Sequence, residues 1–147
     1  MRGTRSVLLT LLPILLSGAA AVRAADYIGA EKCKICHKVE YTSWESLEHA
    51  KAFDTLQPAE QAKAECLRCH ATAGKAELPG VQCEACHGPG GEYKSMTVMK
   101  DRQASLAAGL LLPDEAACKS CHSNAPHDLP EFDYAEAVEI GVHDRKP

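Results

Sequence analysis

A Cys-x-x-Cys-His pentapeptide occurs four times in this 147-residue chain and uses every one of its eight cysteines. The four copies begin at Cys33, Cys66, Cys83 and Cys118. Their first cysteines are 33, 17 and 35 residues apart, which is too uneven for a solenoid with a fixed period. What repeats is therefore a cofactor site and not a structural unit.

The pentapeptide is the attachment motif for haem c. Two intervening residues let the backbone turn, so that both sulfurs meet the vinyl groups on one edge of the haem. The following histidine then lies under the ring and binds the iron as its proximal ligand. The sequence thus predicts four covalently bound haem c groups. The attachment residues are Cys33, Cys36, Cys66, Cys69, Cys83, Cys86, Cys118 and Cys121, and the proximal ligands are His37, His70, His87 and His122.

Three other kinds of site use paired cysteines. Zinc could be bound by Cys66 and Cys69 together with Cys83 and Cys86. A redox disulfide or an iron–sulfur cluster could also use such pairs. None of the three requires a histidine directly after every pair, so haem attachment is the favoured interpretation.

The number of histidines limits how many axial positions of the four haem irons this chain can fill with imidazole. Four haems offer eight axial positions, and the chain has seven histidines. The three outside the motifs, His49, His127 and His143, are the predicted distal ligands. His127 follows His122 by only five residues, so it would have to bind a neighbouring haem. One haem is therefore expected to be open or weakly ligated. Less favoured candidates for the eighth position are Met96, Met99 and Tyr93, and Tyr93 is expected to pack beside the third haem instead.

The first residues have the order of a secretory signal. Arg2 and Arg5 precede a short apolar run at 7–16, and small residues follow up to Ala24. The run is shorter than the roughly 20 residues that span a bilayer. We predict a cleaved signal peptide at 1–24 and one tetrahaem domain at 25–147, located in the periplasm and without a transmembrane segment.

The charge of the predicted mature chain limits its partners. Cleavage removes three arginines, so 13 Lys and Arg side chains face 20 Asp and Glu side chains, and the formal charge is −7. The chain has no basic run, which argues against nucleic acid as a partner. Redox proteins, as donor and acceptor, are the expected partners.

The predicted fold is mainly α with extensive loops. Helices are expected over 38–53, from Ala59 into Cys66, over 101–108, from Pro113 into Cys118, and over 134–140 after a cap at Asp133. No alternating run is long enough to predict a sheet. Large apolar and aromatic side chains are few, so we expect the four haems themselves to form the core of a compact domain.

Four segments resemble the tetrahaem cytochrome c-554 family. They are Tyr-Ile-Gly-Ala-Glu-Lys-Cys at 27–33, His-Ala-Lys-Ala at 49–52, the stretch from Val81 through Gly90, and the tail at 132–143. The resemblance implies a mainly helical fold with parallel-stacked haem pairs. It also implies periplasmic electron transfer, linked in well-known members to oxidation of reduced nitrogen compounds, and a second haem, that of His70, without a distal protein ligand. Where many relatives carry a histidine after Gly-Pro-Gly, this chain has Tyr93.

The favoured function is therefore periplasmic electron transfer between redox partners. One alternative is a small reductase of nitric oxide or nitrite that works at one five-coordinate haem, although no cluster of Lys, Arg and acidic residues beside a motif is evident to deliver protons. Another is a haem subunit of a larger electron-transfer assembly, in which a neighbour donates the eighth ligand.

Overall fold

A computed structural model describes residues 26–123 and 125–144. The predicted signal peptide and its cleavage site lie outside the described residues. Within them the regular structure is helical. The helices are α1 (Ala30–Lys34), α2 (Lys38–Glu45), α3 (Glu48–Lys51), α4 (Ala64–His70), α5 (Cys83–His87), α6 (Met96–Met99), α7 (Arg102–Ala107), α8 (Glu115–His122) and α9 (Tyr134–Ile140), with 3-10 turns at Ala52–Thr55 and Thr72–Gly74.

The predicted mainly helical class is confirmed. Over the described ranges no strand forms, and the only ladder-type pairing is an isolated bridge from Ala71 to Pro79 and Gly80. No helix in these ranges is both long enough and apolar enough to cross a membrane.

The helices predicted over 101–108, from Pro113 and over 134–140 all form, as α7, α8 and α9, although α8 begins at Glu115 and continues to His122. Asp101, Asp114 and Asp133 precede α7, α8 and α9, and each carboxylate accepts a hydrogen bond of 3.0 Å from the backbone N–H three residues on. An aspartate at this position satisfies a donor that the first helical turn leaves unpaired. Gly141 follows α9 with φ of 74°, a conformation that glycine adopts without strain.

The helix predicted over 38–53 is interrupted. Leu47 has an extended backbone, with φ −86° and ψ 160°, which separates α2 from α3. The break turns α3 toward the third motif, where the N–H of Val81 donates to the carbonyl of His49 at 2.8 Å. The indole of Trp44 donates to the carbonyl of Val81, also at 2.8 Å. A tertiary contact thus overrides the helical periodicity.

The helix predicted from Ala59 was also wrong in its start. Residues 58–62 form turns, Lys63 is extended, and α4 begins at Ala64. The carboxylate of Glu60 accepts from the N–H of Gln57 at 2.8 Å, which closes a turn in place of a first helical turn. Only the part of the predicted helix that carries the second motif is helical.

Buried apolar side chains are few in the described part of the chain. Leu56, Leu67 and Ala71 form one small cluster, against which Phe53 and Cys66 pack. The other buried apolar residues are Ala30, Tyr41 and Tyr93, whereas many large ones are exposed, among them Ile35, Leu111, Leu112 and Ile140. So small a core leaves most of the apolar surface of the polypeptide to be covered by something other than side chains.

A buried carboxylate joins the first and third motifs. Glu84, inside the third pentapeptide, is 2% exposed. Its oxygens accept from the N–H groups of Ile28 at 3.0 and 3.1 Å, Gly29 at 2.7 Å and Gly90 at 2.6 Å. Gly90 can approach this closely because glycine has no Cβ; a Cβ at this position would lie only 2.8 Å from the Ile28 side chain. The segment before the first motif is thereby fixed against the loop after the third.

Candidate haem-binding site

Each motif lies at the carboxyl end of a short helix or next to one. The second and fourth motifs end α4 and α8, and the third makes up the whole of α5. In these three the two cysteines are three residues apart on a helix, which places both sulfurs on one face. The first motif differs, because α1 ends at Lys34 and His37 precedes the first turn of α2.

The cysteine thiols show which motifs are neighbours. The Cys33 thiol lies close enough to the Cys83 thiol to interact with it, and this interaction and burial raise the pKa of Cys33. Burial and the Cys121 thiol raise the pKa of Cys69 to about 11. In a haem-bearing protein these sulfurs would be thioethers that do not titrate, so the contacts matter only as positions. The first motif adjoins the third, and the second adjoins the fourth.

Cys86 links the two motif pairs. Burial raises the pKa of its thiol, and the nearby Cys118 and Cys121 thiols add to the effect. The third motif therefore lies near the fourth as well as near the first.

The three histidines outside the motifs each face a motif histidine that is distant in sequence. Ring centroids are 5.9 Å apart for His49 and His122, 6.0 Å for His70 and His127, and 6.3 Å for His87 and His143. When two imidazoles bind one metal ion from opposite sides, each nitrogen lies about 2.0–2.1 Å from the ion, and each ring centroid lies roughly 1.2 Å beyond its nitrogen. The two ring centroids are then about 6.4 Å apart. All three pairs are close to that separation, which leaves room for one metal ion between the rings.

A direct ring contact in the same region is much shorter. Phe132 stacks on His122 with centroids 4.5 Å apart and planes inclined by 21°. The three histidine pairs are tilted or edge-on and more widely spaced than this stacked pair, and their separation would admit one iron between the rings.

Backbone carbonyls orient four of these rings through Nδ1. The distances from Nδ1 to the carbonyl oxygen are 2.7 Å for His70, 3.1 Å for His87, 3.3 Å for His127 and 2.7 Å for His143. A carbonyl only accepts, so Nδ1 carries the hydrogen and Nε2 keeps a lone pair for a metal. Such an outer hydrogen bond is the usual companion of metal-ligating histidine.

Burial favours the neutral, metal-binding form of two of these histidines, His49 and His87. It lowers the pKa of His49, and the adjacent His122 lowers it further. Burial likewise lowers the pKa of His87, with smaller contributions from His143 and His37. His143 is brought into position where the N–H of Asp144 donates to the Ser43 hydroxyl at 2.7 Å.

A cavity of about 380 Å³ lies between His70 and His127. The residues that line it also include Cys66, Cys69 and Leu56, together with the carboxylates Glu60 and Glu65. Two cysteines and two histidines around one cavity are the residue types that a c-type haem requires. The residues present at this motif fit the group.

His37 is the motif histidine left over from these pairs. All seven histidines lie among the described residues, and six of them form the three pairs. The Nδ1 of His37 lies 4.0 Å from a carboxylate oxygen of Glu40. The expectation that the His70 motif lacks a distal partner does not agree with this geometry, because His127 faces His70.

Tyr93 and Met96, two of the less favoured candidates for the eighth axial position, lie in other surroundings. Tyr93 is 8% exposed, and its hydroxyl donates to the carbonyls of His87 at 3.1 Å and Gly88 at 2.7 Å. The tyrosine thus packs beside the third motif, as expected. Met96 is 64% exposed.

Neither Glu84 nor Glu40 was identified from the sequence, because a carboxylate between two motif cysteines or on a surface helix carries no recognisable pattern. The only available signal for Glu84 was its place in a segment that resembles the c-554 family.

Comparisons with known proteins show which sequences and which fold this chain resembles. Residues 32–88 match the sequence family described as "Cytochrome c554 and c-prime". Cytochrome c-554 of Nitrosomonas europaea is 29% identical over 149 aligned positions, which cover 75% of this chain and 63% of that protein's length. The structure of reduced-state cytochrome c554 from Nitrosomonas europaea superposes with a TM-score of 0.54 and 24% identity, over 80% of this chain and 78% of that one. Over residues 32–88, the chain is therefore similar to the cytochrome c554 family.

Proposed function

We propose that the chain is a periplasmic electron carrier with four covalently attached haem c groups. The observation that carries the proposal is the set of three long-range histidine pairs, each spaced for one iron and each joined to a Cys-x-x-Cys segment. A redox disulfide protein or a zinc protein has no need of such pairs. Bound haem iron supplies one-electron redox chemistry, which the polypeptide alone lacks.

The spacing of the motifs supports transfer between haems within one molecule. The interactions of Cys33 with Cys83 and of Cys69 with Cys121 support two adjacent pairs of motifs, and the proximity of Cys86 to Cys118 and Cys121 supports a link between the pairs. We infer an order of first, third, fourth and second haem along the molecule. Electrons would enter at one end of this order and leave at the other.

The backbone holds the ligands rigidly, which suits a carrier. Carbonyls fix four imidazole rings, and Glu84 fixes the loops around the first and third motifs. A ligand set that moves little between oxidation states keeps the cost of reorganisation low. The acidic mature chain favours encounter with basic redox partners at low ionic strength.

Intact mass and reductive titration test the proposal. The matured protein from a haem-competent host should exceed the cleaved polypeptide by four haems, and the four irons should take up four electrons. A mass that fits zinc, or free thiols on all eight cysteines, would refute the haem assignment. Size measurement in solution separates a single carrier from a subunit of a larger assembly.

A further inference from the structure

We propose that the buried carboxylate of Glu84 lowers the reduction potentials of the haems attached to the first and third motifs, and so biases electrons within the molecule toward the second and fourth haems. This inference rests on the proposed tetrahaem function and names a residue that gives transfer a direction. Reduction adds one electron to a haem iron, and a fixed negative charge nearby opposes that addition. What matters is therefore where the charge of Glu84 lies and what surrounds it.

The charge of Glu84 is held at a fixed position and is not cancelled by a cation. The residue is 2% exposed, and its oxygens accept hydrogen bonds from the N–H groups of Ile28, Gly29 and Gly90. Each oxygen accepts from two N–H groups, so a proton on either oxygen would face a donor, and the side chain is a carboxylate. Among the described residues, no Lys, Arg or His forms an ion pair with it.

Glu84 lies between the first and third motifs. It follows Cys83 directly in α5, and two of the N–H groups that donate to it lie just before α1, the helix that carries Cys33. The helices α1 and α5 pack together. The carboxylate is therefore close to the attachment segments of both haems.

Neighbouring groups respond to this charge. The interaction with Cys83 and burial raise the pKa of Cys33 most, and the charge of Glu84 raises it further. Burial raises the pKa of Tyr93, and Glu84 again adds to the effect. In the haem-bearing protein the cysteine sulfurs are thioethers that do not titrate. A charge that disfavours a thiolate at this position also disfavours an added electron on the haem that is bonded there.

Other charges surround the second and fourth motifs. At Cys69, burial raises the pKa and the charge of Arg68 lowers it. At Cys118, burial and the nearby carboxylate of Asp114 raise the pKa. Asp114 is exposed, so water screens its charge. The buried charge of Glu84, which adjoins the first and third motifs, therefore changes their potentials relative to those of the other two.

Reductive titration of the holoprotein and of two variants at position 84 tests the proposal. Haem methyl resonances, assigned to each haem by NOEs to its attachment cysteines, follow the four midpoints separately. Glu84→Gln should favour reduction of the first and third haems by about tenfold, which is about 59 mV for a one-electron couple, and change the other two by less than about twofold. Glu84→Asp keeps the charge and should change all four by less than about twofold, although both variants lose stability.

Three results at position 84 would overturn the proposal. The first is no shift at any haem in Glu84→Gln, and the second is an equal shift at all four. The third is a shift in Glu84→Asp as large as that in Glu84→Gln, because the cause would then be packing and not charge.

Gln82 offers a second test that leaves Glu84 in place, should Glu84→Gln fail to fold. Its amide oxygen accepts from the N–H of Ala30 at 2.7 Å, which makes a neutral tie between the same two segments. Gln82→Glu keeps the acceptor and adds a negative charge, so it should disfavour reduction of the first and third haems. Gln82→Met, the matched control, loses the tie without a change of charge and should leave all four midpoints unchanged.

An unchanged or raised potential of these two haems in Gln82→Glu, or an equal shift in Gln82→Met, would show that a charge between the two segments does not act on them. Intact mass reports the four haems separately, so failure of this inference is distinct from failure of the tetrahaem function.

Discussion

Replacing Glu84 by glutamine removes a buried negative charge that three backbone N–H groups surround. One carboxylate oxygen accepts from Ile28 and Gly90, and the other accepts from Ile28 and Gly29. Glutamine keeps only one of these oxygens. Whichever way the amide is turned, its NH₂ group points at the N–H of either Gly29 or Gly90, and two donors then face each other.

The expected cost follows from these contacts. A hydrogen bond to a charged group contributes about 1.5–3 kcal/mol, and an unsatisfied buried donor costs about 1–3 kcal/mol. Glutamine loses one such bond, weakens the others and leaves one N–H unpaired. We expect Glu84→Gln to lower the free energy of unfolding of the holoprotein by about 3–5 kcal/mol. The substitution leaves all four Cys-x-x-Cys-His motifs intact, so we expect a loss of packing and not of cofactor.

Denaturant unfolding measures the loss of global stability, and amide hydrogen exchange measures the loss of protection at the three N–H groups. The midpoint of guanidinium unfolding should fall, with the visible haem spectrum as the signal. Exchange at Ile28, Gly29 and Gly90 should accelerate by about 100-fold or more, since every 1.4 kcal/mol is a factor of ten. Glu77→Gln makes the same chemical change at an exposed position and should alter neither quantity.

Two results would contradict the reasoning. Unchanged exchange at all three amides in Glu84→Gln would mean that the carboxylate does not hold them in the mature protein. A loss of stability equal to that of Glu77→Gln would mean that solvent reaches the site.

Two further predictions concern the motifs. Cys83→Ala should prevent normal folding and not merely remove one haem, because the few buried apolar side chains do not offset a chain entropy of about 1–2 kcal/mol per residue; circular dichroism and hydrogen exchange that report a well-folded protein would disprove this. Glu40→Gln removes a negative charge near the outer nitrogen of His37, and it should raise the reduction potential of that haem by about 40–90 mV, equivalent to roughly 1–2 kcal/mol. Redox titration of the holoprotein and of the variant measures the shift, and a fall in potential would show that the carboxylate does not act on that iron.

Several elements of the fold could be predicted because their signals are local. The aspartates before α7, α8 and α9 satisfy the first turn of their own helices, and Gly141 ends α9 by its backbone freedom. These interactions join residues three or four positions apart. The break at Leu47 could not be predicted in this way, because its cause is the contact between His49 and Val81, which are distant in sequence.

The chemistry of the motifs was determined by the sequence alone. Two cysteines and a histidine within five residues contain both attachment sulfurs and one axial ligand, so no long-range folding is needed to recognise them. The number of histidines likewise indicated that one iron would lack a histidine partner. Both inferences depend on composition and short spacing.

Only the tertiary structure decided which distal histidine faces which motif. His49 meets His122, His127 meets His70 and His143 meets His87, and each pairing joins segments more than 50 residues apart. The resemblance to relatives pointed to the second motif as the unpartnered one, whereas the fold places His127 there and leaves His37. The same holds for Glu84, whose carboxylate draws together N–H groups from both ends of a 63-residue span, from Ile28 to Gly90. Such pairings depend on how loops close in space, and local sequence patterns do not encode the path of a loop.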